Sequence, residues 1–114
     1  MTREELLRAE LARLLEFLKQ EEPPPEKVIL FGSVGRDEPV EEWTDLDLVI
    51  VQRTELPFLQ RLRRFHERFA PQVAMDVLIY TPEEFAELMR TRRFFREEVL
   101  EKGRVIYERG QDLV

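Results

Sequence analysis

At 114 residues, 43% of them hydrophobic, the chain is long enough for one core and short of the length at which cores divide, so a single domain over residues 1–114 is expected. A formal net charge of -6 argues against duplex nucleic acid as the main partner, though it leaves room for a local basic patch, and the lack of cysteine excludes disulfides, thiolate metal sites and cysteine nucleophiles. Charges at Arg3, Glu4, Glu5, Arg8 and Glu10 break any apolar leader, and no apolar run is long enough to span a bilayer, so a soluble cytoplasmic protein is expected.

In residues 4–20, Leu6, Leu7, Leu11, Leu14, Leu15 and Leu18 recur at helical spacing, which predicts an amphipathic helix. Pro23, Pro24 and Pro25 make residues 21–27 a stiff connector. Residues 28–31 are a short apolar run stopped by Gly32-Ser33, a buried strand entering a tight turn. The polar stretch 34–44 reads as a brief helical turn followed by loop. Residues 45–51 predict a central strand, with apolar side chains on both faces and two aspartates at its start. A helix over 56–69 ends before Pro71, and a third strand over 73–80 carries one charge, Asp76. Thr81-Pro82-Glu83-Glu84 has the cap, the first-turn proline and the capping-box glutamate of a helix start. That helix covers Phe85 and Leu88. A further one with Phe94, Phe95, Val99 and Leu100 runs to Gly103, and 105–107 predicts a short edge strand. Residues 45–80 suit a right-handed βαβ crossover, so the expected fold is a small α/β (α+β) mixed sheet covered by helices.

Asp45 and Asp47 are two apart, so on a strand their carboxylates leave the same face. On an interior strand two such charges are costly without a cation, and closely spaced hard oxygens favour Mg²⁺ or Mn²⁺. Asp76 is a third candidate ligand if its strand lies beside theirs; otherwise it is a salt-bridge partner. Three carboxylates around two divalent ions suit phosphoryl or nucleotidyl transfer. Gly32 and Ser33 can let the backbone approach a phosphate, or simply form a turn, and Arg36, three residues on, can face the same anion. Trp43 either stacks on a nucleotide base or anchors its loop. His66, the one histidine, lies near the apolar stripe of its helix and reads as a packed or half-exposed residue, with a catalytic base as the alternative. The arginines of 61–68 and 90–96 read as solvated helix faces, or as contacts for an acidic protein or RNA phosphates.

The run Leu30-Phe31-Gly32-Ser33-Val34-Gly35-Arg36, followed by Thr44-Asp45-Leu46-Asp47-Leu48-Val49-Ile50, resembles the signature of the minimal nucleotidyltransferases of the DNA polymerase β-like superfamily. Met75-Asp76-Val77, leading into Tyr80-Thr81-Pro82, is also similar to that family. The match covers residues 28–88. It implies the polymerase β-like nucleotidyltransferase fold with its motif core at 28–80. Gly32 and Ser33 would hold the triphosphate of ATP or another NTP, Asp45 and Asp47 would bind two Mg²⁺ ions, and Asp76 would complete the site. Arg36 would stabilise the leaving pyrophosphate. The family often has Gly after this Arg; here the residue is Asp37. Small members of the family resemble this chain and are commonly encoded beside a helical HEPN-type toxin, which they neutralise by binding or by transferring AMP to a tyrosine hydroxyl. The resemblance therefore implies an antitoxin-type protein adenylyltransferase. Its rivals are a non-catalytic binding module of the same fold and an enzyme acting on a small molecule in a pocket completed by a homo-oligomer.

Overall fold

In a computed structural model, residues 1–109 and 111–113 are described. Helix α1, Arg3–Lys19, begins at Thr2, whose hydroxyl accepts from the Glu5 N–H while the Glu5 carboxylate accepts from the Thr2 N–H. This reciprocal cap answers the first orphan donors of the helix. Strand β1, Lys27–Phe31, leads into a single helical turn, α2, Gly32–Gly35. Strand β2, Leu46–Val51, is joined through helix α3, Phe58–Phe69, to strand β3, Met75–Tyr80. Helix α4, Pro82–Thr91, starts on the Thr81/Glu84 capping box expected for it. A π-helix follows, Phe95–Glu101, and then strands β4, Arg104–Glu108, and β5, Gln111–Asp112.

The strands form one mixed sheet in the order β3-β2-β1-β4-β5. β1 runs antiparallel to both of its neighbours, and β2 pairs parallel with β3 across the α3 crossover. Alternation along β1 and β2 sends Val28, Leu30, Leu48 and Ile50 to one face, where they meet Leu14 and Leu18 of α1 and Phe65 and Phe69 of α3. Ile29, Phe31, Val49 and Val51 face the other way, onto Phe85 of α4 and Phe95 and Val99 of the π-helix. Both central strands are thus covered on two sides, which is why they read as nearly continuous apolar runs. Among the described residues, no helix is long and apolar enough to cross a membrane.

Two expectations need correction. The strand at 105–107 is longer than its apolar residues suggested and is not an edge, because β5 pairs on its outer side. The second C-terminal helix winds as a π-helix; the Lys102 N–H reaches the Glu97 carbonyl five residues back. α4 ends where Arg92 turns extended, and Arg96 donates to the freed carbonyls of Met89 and Arg90.

Of the α3 arginines, Arg61 is an internal tie, while Arg63, Arg64 and Arg68 are exposed as a solvated helix face would be, the last two paired with one buried acid. Arg64 and Arg68 both donate to Glu21, a carboxylate 6% exposed in the connector before β1. Arg61 is 8% exposed and donates to the Leu56 and Ile79 carbonyls and, through two nitrogens, to Glu84. One guanidinium therefore joins α3, β3 and α4. Removing it leaves buried carbonyls without donors, so Arg61→Met should cost about 2–4 kcal/mol. A lower urea midpoint at an unchanged m-value would register that loss.

Candidate active site

The register of the sheet brings the acidic residues together. Asp47 pairs with Phe31 on the β1 side and with Asp76 on the β3 side, so both carboxylates lie at the end of the sheet where β1 stops and β2 and β3 begin. Because side chains alternate, Asp47 belongs to the face of Val49 and Val51, and Asp76 to that of Leu78 and Tyr80. Burial pushes the Asp47 carboxyl up to about 6, helped by the Asp76 charge, by a hydrogen bond with Asp76 and by Asp45; Arg36 opposes this. The raised value belongs to Asp47, the more buried of the two neighbouring carboxylates.

Gly32 occupies the positive-φ region at +70°, and a Cβ there would collide with the Asp47 carboxylate. Backbone conformation and close approach both require glycine at this position. The α2 turn is in this way seated on the carboxylate, and Ser33 follows at its first turn. Asp45 does not lie within β2. It is the residue before the strand, its side chain is 48% exposed, and it stands 3.7 Å from Arg3. Arg3 also donates twice to the Thr44 carbonyl, at 2.8 and 3.2 Å. A cleft of about 610 Å³ receives Ser33, Asp45, Asp47 and Asp76, with Thr44, Trp43, Pro39, Glu38 and Glu41 on its remaining walls.

Arg36 is not on the wall of that cleft. Its guanidinium is 2.7 Å from Glu38 and 3.7 Å from Glu98 of the π-helix, and the Glu38 hydrogen bond holds it firmly protonated. Asp37, where the family often has glycine, has φ of 60°, a conformation that glycine takes freely and Asp tolerates. It borders a separate groove beside α1 and does not line the carboxylate cleft, so its charge is not set beside Asp47. His66 is exposed, with Nδ1 2.9 Å from the Leu62 carbonyl, on a shallow groove shared with Asp45 and Asp76. Arg3 is the neighbour that the sequence left unmarked. The capping pattern Thr2-x-x-Glu5 could have located the helix start and thereby the first residue able to reach the motif loop. At the opposite end of the sheet a cavity of about 580 Å³ has Arg61, Arg64 and Glu21 on its walls, but these charges are already paired with protein groups.

The donor set fits a hard divalent cation. Asp47 and Asp76 are adjacent carboxylates, burial disfavours the charged form of Asp47, and the nearest guanidiniums are engaged by Thr44, Glu38 and Glu98. Among the described residues no three His, Cys, Asp or Glu side chains converge as a ready-made cage, because Asp45 stands off beside Arg3.

The raised Asp47 value has a definite consequence for stability. At low pH the carboxyl is protonated in both folded and unfolded chains and carries no penalty; as pH rises through about 6 the folded state loses stability relative to the unfolded one. Asp47→Asn should therefore stabilise the metal-free protein near neutral pH, by on the order of 1 kcal/mol after discounting for partial exposure. The difference in melting temperature between variant and parent should grow between about pH 4 and pH 7 by a few degrees. A constant difference across that range would contradict the assignment of the proton to Asp47.

Comparison with known families gives one match. The family model described as "Nucleotidyltransferase domain" matches residues 11–106, from the middle of α1 into β4. No curated protein and no solved structure matches the chain. The matched span includes the Gly32-Ser33 turn, the three aspartates and the strands that bring Asp47 and Asp76 side by side, and the chain accordingly belongs to the nucleotidyltransferase domain family.

Proposed function

We propose that this chain is a Mg²⁺-dependent nucleotidyltransferase that moves AMP from ATP to a hydroxyl of a partner protein. The observation that carries the reading is the pairing of Asp47 with Asp76 on parallel strands, against a glycine-initiated turn that has no room for a side chain. Asp45, Asp47 and Asp76 would hold the divalent ions, which when bound neutralise the triphosphate and activate the attacking oxygen. Around them, the Ser33 hydroxyl and the first N–H groups of α2 orient the phosphates. We assign Arg36 to the leaving pyrophosphate, a role in which it exchanges Glu38 for phosphate oxygens. The acceptor oxygen forms its bond to the α-phosphorus as the bond to pyrophosphate breaks in line, and its proton goes to Asp76, which is exposed on β3.

A protein acceptor accords with a cleft that reaches the exposed Asp76 on β3, the outermost strand on that side of the sheet. The resemblance to antitoxin-type members extends the proposal to a helical HEPN-type protein as that acceptor. Titration calorimetry with ATP, with and without Mg²⁺, is the first test, and binding should require the metal. Asp45→Asn and Asp47→Asn should each remain folded by circular dichroism and lower AMP transfer to a co-purified HEPN-type partner by at least about a hundredfold. Transfer comparable to the parent in either variant would defeat the carboxylate assignment. Tight binding of the partner by both variants, with no labelled AMP appearing on it even with the parent protein, would instead make the chain a binding module.

A further inference from the structure

Trp43 is the chain's one tryptophan, and it stands 76% exposed on the wall of the carboxylate cleft. An indole can bury more apolar area than almost any other side chain, so leaving it in water forfeits stabilisation that packing inward would supply. The loop does not use it as an anchor. That role falls to Thr44, which is buried, accepts from the Glu41 N–H through its hydroxyl at 2.8 Å and donates its own N–H to the Glu41 carbonyl at 3.1 Å. The two bonds from Arg3 to the Thr44 carbonyl tie the same turn to α1. Trp43 is thus carried on a fixed segment. Among the described residues no aromatic ring and no guanidinium packs against its face.

The other groups facing the cleft are carboxylates, hydroxyls and one proline, so the indole is its one flat aromatic surface. Ser33 and Trp43 share that cleft of about 610 Å³, a size ordinary for small-molecule sites. A ligand whose polyanionic end is carried by divalent cations on the aspartates and whose other end is planar and apolar would be matched at both. We infer that Trp43 is the platform on which the base of the bound nucleoside triphosphate stacks, and that it separates a nucleotide from a bare polyphosphate. The inference rests on the nucleotidyl-transfer reading and adds to it a base-binding residue on the loop before the Asp45 motif. Because every base offers a π face, the platform favours nucleotides as a class, and purines most strongly.

The single tryptophan makes the contact directly observable. Wild-type protein would be titrated with Mg·ATP and with Mg·tripolyphosphate, following calorimetric affinity and indole fluorescence together, beside Trp43→Phe and Trp43→Ala. Mg·ATP should quench the indole while Mg·tripolyphosphate at saturation leaves it unchanged. Trp43→Ala should weaken Mg·ATP binding by about tenfold with tripolyphosphate affinity intact, and Trp43→Phe should stay within about threefold of the parent. Calorimetric binding of Mg·ATP with no change in emission, or equal quenching by both ligands, or an unaltered ATP affinity in Trp43→Ala, would overturn the platform while leaving the carboxylate site standing. Failure of the folded wild type to bind either ligand would defeat the nucleotide site itself and the platform with it.

Discussion

The contact between the Asp47 carboxylate and the Cα of Gly32 governs much of this molecule. It joins the turn after β1 to the strand that carries the acidic residues, and it does so by excluding any side chain at one position and placing a charge at the other. The strand register sets Phe31 opposite Asp47 on one side and Asp76 opposite it on the other. A carboxylate held in such a position resists ionisation, and the protein sustains that cost at the sheet end while the rest of β2 is fully apolar. The same strand is therefore both the centre of the core and the origin of the site's instability. Strain of this kind is common where proteins handle charged ligands, since the ligand relieves what the empty fold endures.

The surrounding structure supports that unfavourable feature by tying its neighbours down with arginine. Arg3 brings the first turn of α1 onto Thr44 and Asp45, and Arg61 joins α3, β3 and α4. Arg64 and Arg68 converge on Glu21 in the connector before β1. Each of these guanidiniums donates to groups on more than one element or is shared through one buried acid, so they act as cross-links more than as surface ion pairs, whose contribution is usually small.

How far this was legible in the sequence depends on the kind of information each residue carries. The capping box at Thr81, the apolar runs of β1 and β2 and the βαβ spacing were readable because they follow from local chemistry and periodicity. The proximity of Asp76 to Asp47 was only conditional, since it depends on which strands are neighbours, a fact that no local pattern records. β5 was invisible because two polar residues offer no periodicity, and Arg61 looked as solvated as the other arginines of α3 because Ile79 and Glu84, to which it donates, lie well along the chain. Arg36 sits within the motif as expected, yet its guanidinium faces Glu38 and Glu98, the latter brought close by the π-helix. Trp43 was ambiguous for a simpler reason. Whether an aromatic residue in a loop points inward or outward is decided by which neighbour is buried, and here that neighbour is Thr44.

The antiparallel run of β1 against β2 has one more implication. The glycine turn closes one strand and the acidic residues open the next, so residues 36–45 form an overpass whose two ends are pinned to the same end of the sheet. The distance between the ends is set by strand pairing and is independent of the number of residues in the overpass. Around Pro39, between the Arg36–Glu38 and Glu41–Thr44 contacts, the overpass can consequently lengthen or shorten while the acids and the glycine turn keep their spacing. The fold thus keeps the spacing of the acids and the glycine turn in the strand pairing, apart from the sequence that bridges them.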